Sequence, residues 1–383
     1  MRPLPLVALL ALAAAVLSAG CAEAEPGPAQ PEQIRVATFN ASLNRAAEGE
    51  LVADLSTPDD PQARKVAEVV QRVRPDVLLI NEFDHAPAAV DLFRDNYLER
   101  GQNGAEPIEY PHAYIAPSNT GVPSGFDLDN NGTVGGPNDA LGFGAFPGQY
   151  GMLVLSRFPI DTGAVRTFQR FLWKDLPGTR IPTDWYSPEE QAVLPLSSKS
   201  HWDVPVRVGG QTLHVLVSHP TPPTFDGPED RNGLRNADEI AFWRLYVQPG
   251  PADALYDDNG RRGGLGGGER FVIMGDQNSD PFDGDSLAGA AQQILTAHRV
   301  IDPAPGSVGG VEAANEGHSG DPRLDTADFS EPVPGNLRVD YVLPSSPMDV
   351  RGSGVFWPVA ADPLARLNDT SDHHLVWVDV LVR

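Results

Sequence analysis

The chain reads as an α+β protein: a four-layer α/β/β/α sandwich of two mixed β-sheets packed face to face, with helices outside. Three observations predict this. Strand, helix and strand follow one another within residues 34–80, short apolar strands then alternate with a few helices to the C-terminus, and composition shows no sharp break after residue 33. At 383 residues the length admits one large domain or two small ones, and the unbroken composition favours one, over 34–383.

The elements follow in order. Residues 34–39 form an apolar first strand. Asp60-Pro61 supplies an N-cap followed by proline at the first helical position. Ala63, Val66, Ala67, Val70 and Val73 recur at helical spacing, which predicts an amphipathic helix over 61–73. Arg74-Pro75-Asp76 ends it, and residues 77–80 are a buried strand leading into Glu82. Residues 101–149 are rich in Gly, Pro and Asn with no apolar period, which predicts a long surface insertion. Strand returns over 151–155 and leaves through Ser156-Arg157-Phe158-Pro159. Residues 204–208 and 212–217 flank Gly209-Gly210, a two-residue hairpin signal, and the second strand runs out at Ser218-His219-Pro220. Helix is predicted over 236–247, with Ile240, Trp243 and Val247 on one face. Further insertions lie near 251–268 and 303–334, the first glycine-rich and the second irregular and polar. Between them come the very apolar strand 271–274 and a helix expected from the Asp285-Ser286 cap to about His298. Residues 339–343 and 375–381 are expected to be the last two strands.

The N-terminus stands apart. Leu6 to Leu17 are twelve unbroken apolar residues, too short to span a bilayer and suited to a signal-peptide core. Leu17-Ser18-Ala19-Gly20-Cys21 then resembles a bacterial lipoprotein cleavage box, and cleavage after Ala22-Glu23-Ala24 is the competing pattern. Cys21 is the single cysteine, so residues 1–21 are read as a signal peptide ending in a lipidation site, with a Pro-, Ala- and Glu-rich tether over 22–33. The expectation is an exported, extracellular or cell-surface lipoprotein whose only membrane attachment is the lipid. Formal net charge is −24, from 28 basic and 52 acidic residues, and no Lys/Arg-rich run is present. Tight non-specific binding to nucleic acid requires a basic footprint, so a nucleic-acid partner is disfavoured.

Four short blocks deliver polar residues at or just past the ends of apolar runs: Thr38-Phe39-Asn40, Leu79-Ile80-Asn81-Glu82, Gly275-Asp276-Gln277-Asn278 and Ser371-Asp372-His373-His374. Oxygen ligands and histidines gathered at one rim of packed sheets make a divalent-metal site for phosphoester hydrolysis. A carboxylate just past a buried strand is costly unless solvated, paired or metal-bound, which singles out Glu82; alone it would read as a capping acid. In the third block the glycine permits a turn, and alternation is expected to point Asp276 and Asn278 the same way. Asp276 can orient or deprotonate the attacking water, and Asn278 can donate to phosphoryl oxygens as charge builds up. Alone, the same block is an Asx turn. Histidine suits proton transfer near neutral pH when a carboxylate fixes its tautomer. No Ser or Cys nucleophile arrangement is visible, so water is expected to attack phosphorus directly.

In type, order and spacing these blocks resemble the endonuclease/exonuclease/phosphatase superfamily, the DNase I-like fold, from about residue 34 to 382. Its members include nucleases, inositol-phosphate phosphatases and sphingomyelinases. The resemblance implies that fold and a Mg²⁺- or Mn²⁺-dependent hydrolase of phosphoesters. It makes Glu82 the principal metal ligand, Asn40 its neighbour orienting ion or phosphate, and Asp372 a second metal-side carboxylate. It makes His373 the catalytic histidine, oriented by Asp340 of Arg338-Val339-Asp340-Tyr341, and matches His219 to the family's other histidine, which contacts the phosphate and can protonate the leaving group. His374 has no counterpart and reads as structural.

Four further positions are expected to contact substrate: Lys199 and His201 on a strand approach, and Arg231 and Arg235 after the His219 loop, where a helix cap is the other reading. Asp127, Asp129 and Asn131 with Gly132 follow the spacing of a calcium loop, but Asn138 holds the twelfth position and Asp139 follows it. A structural Ca²⁺ and a plain Gly/Asn turn both suit that stretch. The leading function is therefore a phosphodiesterase or phosphatase acting on a small or lipid-linked phosphoester. A secreted nuclease of the same fold is the first alternative, and a catalytically silent binding module is the second.

Overall fold

The strand Val77–Asn81 is buried along its whole length because both of its faces are covered. Val77 and Leu79 enter an apolar layer shared with a second sheet, whereas Leu78 and Ile80 meet helices on the outside. The computed structural model describes residues 31–383, so the leader, Cys21 and most of the 22–33 tether lie outside the described residues.

The strands are β1 (Glu32–Asn40), β2 (Val77–Asn81), β3 (His112–Ile115), β4 (Met152–Ser156), β5 (Arg166–Thr167), β6 (His201–Val208), β7 (Gln211–Ser218), β8 (Arg270–Asp276), β9 (Ala327–Asp328), β10 (Asn336–Leu337), β11 (Asp340–Pro344), β12 (Asp349–Val355) and β13 (Val376–Val382). The α-helices are α1 (Glu50–Leu55), α2 (Pro61–Val73), α3 (Pro87–Phe93), α4 (Pro188–Gln191), α5 (Arg231–Val247), α6 (Gln292–Leu295) and α7 (Val308–Glu312). One sheet has six strands in the order β12-β13-β1-β2-β4-β3, the other five in the order β11-β8-β7-β6-β5, and β9 pairs with β10 as a separate ribbon. Between the sheets lie Ile34, Val36, Val154, Val204, Val215, Val272 and Val342. Outside the first sheet, Phe39 and Ile80 pack with Val66 and Val70 of α2; outside the second, Leu216 and Ile273 pack with Ile240 and Trp243 of α5. These are the four layers expected.

Local chemistry explains the elements that were anticipated. The Asp60 side chain accepts the Ala63 N–H at 2.7 Å, Pro61 follows, and Arg74 closes α2 in the left-handed conformation. Gly209 and Gly210 both have positive φ, at 54° and 81°, as a tight hairpin between β6 and β7 demands. Other elements differ from expectation. The 101–149 stretch is not wholly an insertion, because β3 pairs with β4 as the sheet's edge. β12 adds a strand beyond those expected, its Gly352 and Gly354 breaking the apolar run of a strand that makes the opposite edge. α5 begins at Arg231 rather than at Asn236. The helix expected from Asp285 is reduced to Gln292–Leu295, because Gly289 at φ 87° breaks it.

Candidate active site

Strand pairing sets the site residues side by side. β1 and β2 run parallel with Asn40 opposite Asn81, and β8 and β11 run antiparallel with Asp276 opposite Asp340. The two sheets are bonded together at this rim. Asn40 Nδ2 donates to Asp276 Oδ2 at 3.0 Å, and Asn81 Oδ1 accepts the Asp276 backbone N–H at 3.1 Å. Gly275 lets β8 lie close against β7 at this rim: at φ 138°, a Cβ there would sit 2.1 Å from the Ser218 carbonyl oxygen.

Two histidines flank Asp276. His219 Nε2 lies 3.3 Å from Asp276 Oδ2, and His373 Nε2 lies 3.6 Å from the same oxygen. His373 Nδ1 donates to Asp340 Oδ2 at 2.8 Å, and Thr326 Oγ1 donates to that oxygen at 2.9 Å. The ring of Phe329 meets His373 edge-on, 5.2 Å between centroids. Ser371 Oγ donates to the Asn40 carbonyl at 2.8 Å and so pins the His373 loop to the end of β1.

Charge follows from this packing. Burial opposes a charge on His373, but Asp340 and Asp276 overcome it and raise the imidazole to about 10. Burial would raise Asp276, yet His373 and His219 hold it well below the usual carboxylate range. Burial raises Asp340, with His373 opposing. His219 is lowered to about 4 by burial and by the Lys199 ammonium. At neutral pH the site therefore holds an imidazolium at His373, a carboxylate at Asp276 and a neutral imidazole at His219.

Glu82 leaves β2 in the left-handed conformation, φ 61°, which a non-glycine residue adopts only under local constraint. Burial raises its carboxyl, while His373 and a hydrogen bond from Asn40 counter the shift. Asp276, Asp340 and His373 offer ligand atoms within 4.8 Å of one another, and the buried Asp340 Oδ1 has no partner among the described residues. The carboxylate of Glu82 and the carboxamide of Asn40 beside this cluster are hard oxygen donors and fit Mg²⁺ or Mn²⁺.

The predicted residues Asn40, Glu82, His219, Asp276, Asp340 and His373 thus share one rim, with Lys199 close by. Asp372 is exposed beside His373 and contributes to its charge. The alternation expected for Asp276 and Asn278 does not occur. β8 ends at Asp276, and Asn278 turns to φ 50°, with its N–H on Asp276 Oδ1 at 2.7 Å and its Nδ2 on the Pro220 carbonyl at 3.1 Å. Two expected substrate contacts are corrected, and a third is engaged within the fold. His201 is buried, with Nε2 2.9 Å from the Glu239 carbonyl and its ring 4.8 Å and 5.0 Å from Phe242 and Trp243. Arg235 is buried and donates to the carbonyls of Leu196, Leu141 and Pro195. Arg231 pairs with Glu229 and lies over the Trp185 ring. Both arginines are engaged in holding loops.

The carboxylates of Asp127, Asp129 and Asp139 converge within 4.8 Å, and Asn131 Oδ1 accepts the Thr133 N–H at 2.8 Å. His374 stacks on Trp357 at 3.9 Å, in keeping with a structural role. Asn81, Thr326, Ser371 and Glu239 escaped the sequence reading as site residues. Asn81 and Ser371 stood inside the recognised blocks and could have been found there; Thr326 and Glu239 carry no local signal.

Two packed mixed sheets that share an acidic, histidine-bearing rim define a phosphoesterase-type fold of the DNase I-like kind. The chain belongs to the Endonuclease/Exonuclease/phosphatase family, whose family model matches residues 37–373. Members of that family are typically hydrolases acting on phosphoesters, nucleic acid among them. The fold is similar to that of an endonuclease/exonuclease/phosphatase from Beutenbergia cavernae, at 17% identity and TM-score 0.50, covering 91% of this chain and 72% of that one. Weaker likenesses include sphingomyelinase C from Streptomyces griseocarneus (15% identity, TM-score 0.46, 91% and 99% coverage) and TDP2 from C. elegans (14% identity, TM-score 0.46, 91% and 75% coverage). No curated protein matches the chain.

Proposed function

We propose that this protein is a divalent-metal-dependent phosphoester hydrolase, exported and held at the cell surface through Cys21, which turns over small or lipid-linked phosphoesters. The observation that supports it most is the chain of contacts Asn40–Asp276–His373–Asp340, which spans both sheets with His219 and Glu82 beside it. A cation held by Glu82, Asn40 and Asp372 would polarise a phosphoryl oxygen and steady the leaving group.

The protein's own groups divide the remaining work. Asp276, kept ionised by its two histidines, orients the attacking water and accepts its proton. His373, cationic between Asp340 and Asp276, stabilises the charge that grows on the phosphoryl oxygens. Asn278 has a second amide hydrogen to offer them. His219 is neutral and lies against Asp276, so its role is to hold that carboxylate rather than to protonate the leaving group. The acidic chain, net −24, favours a compact phosphoester over nucleic acid.

The test is release of p-nitrophenol from bis-p-nitrophenyl phosphate. Turnover is expected with Mg²⁺ and not with EDTA, and His373→Ala is expected to lower it by about a thousandfold or more while circular dichroism shows the fold intact. Activity indifferent to chelation would overturn the mechanism.

A further inference from the structure

The chemistry above leaves one buried charge unemployed. Lys199 stands just before β6, 6% exposed, with its carbonyl accepting the Asn119 N–H at 2.9 Å. Among the described residues its ammonium makes neither an ion pair nor a hydrogen bond. The other buried cations differ. Arg166 pairs with Asp257 at 2.7 Å, Arg338 with Asp302 at 2.6 Å, and Arg235 donates to three carbonyls. An ammonium on a largely buried residue that no protein group pairs is left for solvent or a ligand to complete.

Lys199 enters the sheet beside the reaction centre, because His201, two residues on, lies opposite Ser218, the neighbour of His219. Glu239, Glu82 and Asp276 are the carboxylates in its field, and it acts in turn on His219. A fixed bracket holds it there. Glu239, on α5 and wholly buried, accepts the Ser198 N–H on Oε1 at 2.7 Å and the Thr221 N–H on Oε2 at 2.6 Å. One carboxylate therefore clamps both the residue before Lys199 and the loop just after His219. Glu239 supports the Lys199 charge through the field, and no ion pair joins the two among the described residues.

We propose that Lys199 is the specificity-determining residue of the site, taking the second negative charge of a phosphomonoester dianion, and that Glu239 is the positioning residue that aims it. The inference rests on the phosphoester-hydrolase reading and names its substrate class. A diester carries one charge on its non-bridging oxygens, which His373 and a bound cation would meet. A monoester near neutral pH carries nearly two, and Lys199 supplies the extra positive charge within the rim.

The test uses Lys199→Met, which keeps the buried aliphatic stem, and Lys199→Gln should the first not fold. With Mg²⁺, the ratio of kcat/KM for p-nitrophenyl phosphate to that for bis-p-nitrophenyl phosphate is expected to fall about tenfold or more, mainly through KM for the monoester. Glu239→Gln, which loses one acceptor, should move the ratio the same way by a smaller factor. Calorimetry with inorganic phosphate and Mg²⁺ gives a readout independent of turnover, and affinity should drop about tenfold in Lys199→Met. An unchanged ratio, or phosphate binding equal to wild type, overturns the proposal for Lys199 while leaving the hydrolase reading intact. If the wild type hydrolyses neither compound, the hydrolase reading fails, and phosphate binding alone then decides whether Lys199 is an anion site.

Discussion

Gly275 is a position where one absent carbon decides whether β8 can lie against β7 at the rim. Its φ of 138° excludes most side chains, and a Cβ would press on backbone, which cannot swing away. Gly275→Ala is expected to cost about 3–5 kcal/mol in chemical denaturation, and a loss below about 1 kcal/mol would show that β7 and β8 can part there without penalty. Asp276 was legible because it stands just beyond the apolar run 271–274, and His373 because its block stands just before the apolar strand expected over 375–381, places where a polar residue needs a reason. Asn278 was placed on the wrong geometry: alternation holds only while a strand continues, and the chain turns at residue 277 to satisfy Asp276 locally. His201 and Arg235 looked like substrate contacts because sequence spacing does not show which way a side chain points. The fold turned both inward, onto aromatic rings and bare carbonyls.

Between elements, the contact of β6 with α5 carries a pH-dependent consequence. His201 is buried against Phe242 and Trp243, and burial lowers it from the ordinary 6.5 to about 4. Its folded form thus binds a proton less readily than its unfolded form. Stability from keeping it neutral is fully present above pH 6.5 and is lost as the pH falls toward 4, by about 3 kcal/mol across the window. Urea denaturation at pH 7.5 and pH 5 should show a loss about 2 kcal/mol smaller in His201→Gln than in wild type; equal losses would refute it. Elements with strong end signals were readable from sequence, α2 most clearly, because its cap and proline are local interactions. β3, β12 and the short α6 were not. Edge strands are half-exposed and need no apolar run, and Gly354 in β12 lies against the Trp377 ring, a contact made only in the fold.

For the molecule as a whole, charge bears on what can approach the rim. A net −24 surface repels a polyanion, while a single phosphate has to satisfy only the buried groups around Asp276. Plasmid nicking, if any is detected, should therefore rise with salt from 50 to 200 mM as screening relieves repulsion. A steep fall over that range would reveal a basic nucleic-acid footprint and favour the nuclease reading. The linear order of residues was enough to specify the layered α+β class, the family, and the polar blocks at strand ends, because those depend on periodicity and on neighbours a few positions apart. Which groups finally touch was settled by folding alone. Asn40 meets Asp276 across 236 positions of chain, and Glu239 clamps the Lys199 and His219 loops together from a helix with no motif of its own. Contacts at such separation come from the register and packing of whole sheets, which no local stretch of sequence contains.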